Sequence, residues 1–382
     1  MGKNILIIYF ENLLPADTGS KKNTFNLLCA LKKSGFNITL FCCYSDQPNH
    51  ADIHQYVDRL IELKNPLSKW IYKLPNAFFN LFEKNPIKQN ALLKFILRKE
   101  LKSEFKKCDT ILLNYVTYAD IIPDNCFSKS ILFTHDLLYY RTQQFYNQKG
   151  NLDQHVAAVK STELALLRKF NQVLVVADYE LAILKTEGFA NDKLFNIGAP
   201  QEVTNLPYIE FPYYFGFIGG KYEQNVEALK KFINEYYVHF SDKTFAVAGS
   251  VGSVSEIKEL VAKFPNIKVL GFVDDLVQFY SNVRFIAATL PMGSGIKIKV
   301  LEALSFGKIV LGTDKAFEGV NPLHLVHAID VQKIEDVQYL KSLLLKYEEK
   351  STYVEMAEQA KKLVEDNFSQ QRLFQPLIDT IK

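Results

Sequence analysis

The sequence predicts an α/β protein made of two doubly wound parallel-sheet domains in series. Three observations carry that expectation. Continuous apolar runs of strand length alternate with segments of helical periodicity, the alternation stops once between residues 205 and 212, and a chain of 382 residues exceeds what one core usually organises.

In chain order, "NILIIYF" (4–10) is a continuous apolar run, "TFNLLCALKKSG" has helical spacing and ends at Gly35, and "FNITLFCC" is a second run. Together they form a βαβ unit, whose strands are apolar throughout because helices cover both faces of a parallel sheet. "DTILLNYV", "SILFTHD" and "QVLVVAD" continue the pattern, with a helical segment from Leu152 to Phe170 between the last two. "NLPYIEFP" (205–212) carries two prolines and breaks the periodicity, so the linker falls there. A second series follows, with strands at "YYFGFIG", "TFAVAG", "IKVLGFV", "RFIAATL" and "KIVLGT", and helices at "NVEALKKFINEYY", "EIKELVAKF" and "DLVQFYSN". The tail from Val337 to Lys382 is helical, interrupted near "DNFSQQ". The expected domains are therefore 1–204 and 205–365, followed by a C-terminal helix at 366–382 that could cross back to the first domain.

Composition narrows the function classes. Apolar residues at 48% and charged residues at 23% are globular values, and a formal charge of +3 is too small for a general nucleic-acid binder. Five cysteines without CxxC spacing point to reduced thiols and a cytoplasmic setting. The six-residue apolar run near the start is too short for a signal-peptide core, and no run approaches the roughly 20 residues of a membrane span. His50 and His54 could share a helix face, but no third ligand is evident, so no metal site is expected. No GxGxxG follows the first strand, which counts against a nicotinamide or flavin enzyme.

The stretch "LPMGSGIKIKVLEALSFGKIVLGTD" (290–314) holds Gly293, Gly295, Lys297, Lys299 and Glu302, none of which core packing requires. Open α/β sheets bind ligands where strand ends meet helix amino termini. Glycines there let the backbone approach a diphosphate, and free N–H groups with the helix dipole favour its charge. A helix beginning near Ile296 would place Glu302 roughly 9 Å along the axis at ~1.5 Å per residue, about the span from a diphosphate to ribose hydroxyls. Lys299 and Glu302 share a face, while Val300, Leu301 and Leu304 point to the core. Taken alone, the stretch also fits an ordinary amphipathic helix with solvated Lys and Glu.

The segment "VLGFVDDLVQFYSNVRFIAATLPMGSGIKIKVLEALSFGKIVLGTDKAFEGV" (269–320) resembles the donor-binding half of the family-4 (group 1) retaining glycosyltransferases, which have the GT-B fold. The matching series is Gly271, Asp274 to Leu276, Tyr280, Pro291, the GSG loop, Lys299, Glu302-Ala303, Gly307 and Glu318-Gly319. "FIGGKYEQNVEALKKF" and "RKFNQVLVVADYELAILKTEGF" add to it. The resemblance implies two Rossmann-like domains facing across a cleft, an acceptor side at 1–204 and a nucleotide-sugar-binding side at 205–365. It implies that Glu302 holds the ribose and that backbone amides around Gly293, Ser294, Gly295, Ile296 and Lys297 face the diphosphate and donor sugar. Two positions depart from the family pattern: Ser294 stands where a glutamate is common, and Lys221, beside Gly220, is the only nearby cation where a basic pair is common. Lys297 or Lys299 would supply the missing charge.

His135 follows directly on an apolar strand, and the resemblance places a histidine near the donor sugar or acceptor here. Gly19 lies in the loop before the first helix, which the resemblance brings over the donor with Lys21 or Lys22 near phosphate. The expected activity is metal-independent transfer of a sugar from a nucleotide-sugar, UDP- or GDP-sugar favoured, to a saccharide or lipid-linked acceptor hydroxyl with retained anomeric configuration. His135, Lys297 and Lys299 would be catalytic, and no enzyme nucleophile is assigned. A non-catalytic GT-B subunit that binds a partner or glycan is the alternative. Residues 64–107 hold eleven Lys or Arg against three Glu, interleaved with Trp70, Tyr72, Phe78, Phe79 and Phe82. Such a segment either packs its aromatics in a core or rests on an anionic membrane surface on the cytoplasmic side.

Overall fold

The computed structural model describes residues 2–16, 18–42, 51–63, 87, 91–147, 153–291, 296–320, 328–330 and 337–382. The GSG loop and most of the basic segment, including its five named aromatics, lie outside the described residues, as does His50. The chain forms two compact units, Met1–Pro200 with Gln370–Lys382, and Gln201–Ser369.

The first unit runs β1 (Asn4–Tyr9), α1 (Gly19–Lys33), β2 (Asn37–Cys42), β3 (Arg59–Glu62), α2 (Ala91–Lys107), β4 (Thr110–Asn114), β5 (Ser130–Phe133), α3 (Leu138–Asn147), α4 (Asp153–Lys169), β6 (Gln172–Val175), α5 (Asp178–Thr186) and β7 (Leu194–Asn196). Its seven strands are parallel in the order β3-β2-β1-β4-β5-β6-β7. Ile5, Leu6, Ile7 and Ile8 of β1 are all buried, as a central strand covered on both faces requires. Thr18 caps α1 by accepting from the Lys21 N–H, and Lys32 and Lys33 complement the dipole in its last turn.

The second unit runs β8 (Tyr213–Ile218), α6 (Glu223–Lys231), β9 (Phe245–Ala248), α7 (Ser255–Val261), β10 (Ile267–Gly271), α8 (Leu276–Ser281), β11 (Val283–Ala288), α9 (Ile298–Ser305), β12 (Ile309–Gly312), α10 (Asp314–Phe317), β13 (Ala328–Asp330), α11 (Val337–Lys346) and α12 (Lys350–Phe368). Its six parallel strands follow the order β10-β9-β8-β11-β12-β13, so both sheets reverse direction beside their first strand. Phe215 of β8 anchors the core, with the rings of Phe232, Phe240 and Phe245 at 5.4, 5.6 and 6.3 Å. A last helix, α13 (Gln370–Ile381), belongs to the first unit, where it packs on α1 and β7 through Phe374, Leu377, Ile378 and Ile381.

Several details differ from the sequence expectation, first that Gly19 is not in the loop before α1 but is its first residue, because Thr18 supplies the cap. The helix at 225–237 is not one α-helix: α6 passes into a π-turn at Phe232–Tyr236 and a 3-10 turn at Tyr237–Phe240, which lets Phe232, Tyr237 and Phe240 all reach the core. α9 begins at Ile298 rather than 296, with Lys297 as its cap residue. β3, β7 and β13 are additional, each of four residues or fewer and too short to carry a period. Among the described residues, no helix is long and apolar enough to cross a membrane.

Gly249 shows how the strand ends of the second unit converge. Its N–H donates to the Gly271 carbonyl at 2.6 Å, and the Val251 N–H donates to the Gly219 carbonyl at 3.1 Å, tying together the loops after β8, β9 and β10. Its φ of +87° and ψ of 178° lie in a region that only glycine occupies readily, and a Cβ there would sit 2.3 Å from the Gly219 oxygen. Gly249→Ala is therefore expected to cost about 1–3 kcal/mol or more in chemical denaturation. An unchanged midpoint would contradict this packing.

Candidate functional site

In the second unit, Gly220, Lys221 and Lys299 of the sequence-named residues gather at the carboxyl edge where the sheet reverses between β8 and β11. The loop after β8 carries Gly219, Gly220 and Lys221. Asn225, on the first turn of α6, donates from its amide nitrogen to the Gly220 carbonyl at 3.0 Å, and the Lys221 N–H donates to Ser250 Oγ at 3.1 Å. The Lys299 ammonium, on the first turn of α9, donates to Asn225 Oδ1 and lies 5.1 Å from the Phe217 ring centre. The structure thus joins Lys299 to the Gly220 loop through a neutral amide. Burial, and after it the charge of Lys297, lower the Lys299 pKa to about 8.

Lys297 is placed differently. It is buried at the cap position of α9, and its ammonium lies 3.8 Å from Glu318 Oε2, while Glu318 Oε1 accepts from Lys315 at 2.9 Å. One carboxylate therefore faces two lysines. Ile296 is buried immediately before this cap.

Glu302 lies on the same helix one turn after Lys299. Its Oε1 accepts from the Tyr280 hydroxyl at 3.0 Å, and the fully buried Tyr280 ring stacks on Phe306 at 4.5 Å. Desolvation, with the Glu302 charge second, raises the Tyr280 pKa well above its ordinary value, so the hydroxyl stays protonated and remains a donor. Because α9 begins at Ile298, Glu302 is four residues into it, about 6 Å along the axis rather than 9 Å.

The first unit gathers a second polar group, also at a carboxyl sheet edge. Tyr9 ends β1, and its hydroxyl lies 3.4 Å from both Ser20 Oγ at the start of α1 and the Tyr115 hydroxyl just after β4. Gly19 stands between Thr18 and Ser20, whose hydroxyls are 3.4 Å apart. His135 follows β5, its ring 3.8 Å from Phe133 and 4.6 Å from Tyr115, and its Nε2 lies 2.8 Å from Asn114 Oδ1. Burial lowers the His135 pKa to about 3, leaving the ring neutral. Tyr115 and His135 both have left-handed backbones, with φ of +69° and +63°. A tyrosine or histidine there costs energy, and such strain clusters at functional sites.

The strained turn is held by two buried carboxylates. Glu180 accepts from the Leu137 and Val176 N–H groups at 3.2 and 3.1 Å, and Glu163 from the Leu138 and Tyr139 N–H groups at 2.9 and 2.8 Å. Burial pushes their pKa values up to about 8 and about 7, against the pull of those N–H donors. Asp136 is paired with Arg141 at 2.8 Å. Sequence reading named none of Tyr9, Asn114, Tyr115, Glu163 or Glu180. For the two glutamates the available signal was a carboxylate on the apolar face of an amphipathic helix.

Residues 212–337 match the family described as Glycosyl transferases group 1. No curated protein matches the chain. Among solved structures, sucrose-phosphate synthase from Thermosynechococcus elongatus is similar with a TM-score of 0.68 at 14% identity, over 99% of this chain and 98% of that one. Anabaena HepE in complex with UDP and glucose gives 0.66 at 12%, over 99% of both chains. WaaG, a glycosyltransferase involved in lipopolysaccharide biosynthesis, gives 0.64 at 13%, over 99% of both. At such identities the likeness establishes the fold. The chain thus has the GT-B fold, and residues 212–337 of its second unit match the group 1 glycosyltransferase family.

Proposed function

We propose that this protein transfers a sugar from a nucleotide-sugar to an acceptor hydroxyl, with retained anomeric configuration and without a metal. The observation that carries the reading is α9, which presents Lys299 and Glu302 one turn apart, each held by a neutral partner, beside the Gly220 loop. In this reading Glu302 accepts from the ribose hydroxyls. Lys299, the amino end of α9 and the loop from Gly293 to Gly295 bind the diphosphate, with Gly220 and Lys221 alongside. The C1–O bond to the diphosphate breaks while the acceptor oxygen bonds to C1 on the same face, and the acceptor's proton leaves with the departing phosphate. Lys299 and Lys297 stabilise the charge that develops there, and His135 with the Gly19 turn meets the sugar.

HepE binds UDP and glucose, which makes UDP-glucose the first donor to test, within a panel of UDP-, GDP-, ADP- and CMP-sugars. A donor that binds only the folded chain raises its melting temperature. Glu302→Ala should weaken the stabilising nucleotide at least tenfold, about 1.5–3 kcal/mol for a lost charge-assisted hydrogen bond, with the fold intact. Unchanged affinity by calorimetry would refute the ribose role. Binding with neither hydrolysis nor transfer would favour a non-catalytic subunit.

The Lys299 pKa gives a pH test. A lysine lowered to about 8 is charged below that pH and neutral above it, so UDP affinity should fall as pH rises from 7 to 9. Lys299→Met should bind weakly and without that slope. Wild-type affinity that stays level across the interval would exclude Lys299 from the phosphate site.

A membrane-facing acceptor side is part of the same reading, and its support is α2. That helix buries Leu97, Leu101 and Phe105 yet leaves Phe95 66% exposed beside Lys94, Arg98 and Lys99. The full chain should sediment with vesicles containing anionic lipid, less as salt rises. Failure to bind such vesicles at low salt would point to a soluble acceptor.

A further inference from the structure

The amide of Asn114 has only one orientation that satisfies its neighbours. The Ile8 carbonyl can only accept, so the Asn114 atom 3.0 Å from it must be the NH2 group. Oδ1 then faces Thr24 Oγ1, which donates to it at 2.9 Å, and His135 Nε2 at 2.8 Å. Because an amide oxygen can only accept, Nε2 must carry a proton. The other ring nitrogen, Nδ1, is shielded from solvent and has no hydrogen-bond partner among the described residues. A proton there would be a buried donor with nothing to receive it, which is disfavoured.

From this geometry we infer that Asn114, steadied by Thr24 and the Ile8 carbonyl, is a positioning residue that locks His135 in the neutral Nε2–H tautomer, so that Nδ1 presents a lone pair. His135 is then a hydrogen-bond acceptor and not a proton donor. It recognises a group that brings its own proton, which for the sugar chemistry proposed above is a hydroxyl. A hydroxyl that reaches Nδ1 supplies the hydrogen bond which that nitrogen lacks among the described residues. The left-handed backbone at His135 and the Glu163 and Glu180 anchors that follow keep the ring pointed at Asn114. The titratable groups facing that turn are Asp136, paired with Arg141, and the Glu163 and Glu180 carboxylates on its N–H groups.

The lock rests on the reading that His135 meets substrate only for its purpose, and its test needs no substrate. The full chain, labelled with 15N-histidine and unliganded at pH 7, is examined by long-range proton–nitrogen NMR, with His135→Gln identifying the His135 signals by their loss. The expected spectrum shows a single neutral tautomer, protonated at Nε2. A Nδ1–H form, a mixture or an imidazolium would overturn the inference on the wild-type protein alone. Asn114→Leu, which removes the acceptor at Nε2, should lose that single tautomer. A single Nε2–H tautomer persisting in folded Asn114→Leu would also overturn the role of Asn114. Adding UDP-glucose and then glucose tests the other question, because a lock that is present with a Nδ1 signal that responds to neither sugar would count against the substrate contact and leave the lock standing.

Discussion

A sheet whose strands all run one way must be shut from water on both faces, and that constraint governs the rest of this structure. It demands the buried apolar stretches of β1, β4, β5, β8 and β11, and it forces return paths through covering helices. Strand ends then collect on one edge, and the reversal of strand order leaves a gap there that no crossover fills. In the first unit the gap lies between β1 and β4 and receives Tyr9, Tyr115, Ser20 and His135. In the second it lies between β8 and β11 and receives Gly220, Asn225 and Lys299. Position on the sheet, more than local sequence, decides which side chains meet.

What happens at those edges is a contest between desolvation and hydrogen bonding. Lys299, Glu163, Glu180 and His135 are all moved toward their neutral forms by burial. Each is nevertheless tied to specific partners: an amide oxygen, pairs of backbone N–H groups, and Asn114. Groups withdrawn from water and fixed in direction lose little by further ordering, which is the condition for strong electrostatics at a reaction site. The left-handed turns at Tyr115 and His135 belong to the same economy, since the buried carboxylates that anchor the backbone after His135 offset the strain.

Much of the architecture was legible because parallel strands and their covering helices write long, regular patterns. The runs at 4–10 and 213–219 and the break at 369 between two C-terminal helices are examples. β3, β7 and β13 were not legible, being held by a neighbour's ladder rather than by a pattern of their own. Lys299 and Glu302 could be read from their spacing and the resemblance of the surrounding segment. Tyr280 was readable only as a member of that segment, since its hydrogen bond spans 22 residues. Asn114 is further from reach. Nothing in "TILLNYV" says that the amide would meet Thr24, 90 residues earlier, and a histidine 21 residues later.

The placement of α13 bears on how the polypeptide matures during synthesis. The helix that covers α1 and β7, with Leu373 lying against Gly198, comes from residues 370–381, after the whole of Gln201–Ser369. The first unit is thus the first to leave the ribosome and the last to be finished. While some 170 further residues emerge, the surface of α1 and β7 waits for its cover, and the second unit has all its strands before the first has its last helix. An interruption of translation just past Ser369 would release a finished second unit joined to a first unit with a bare apolar flank, the form in which chaperones and proteases would meet it.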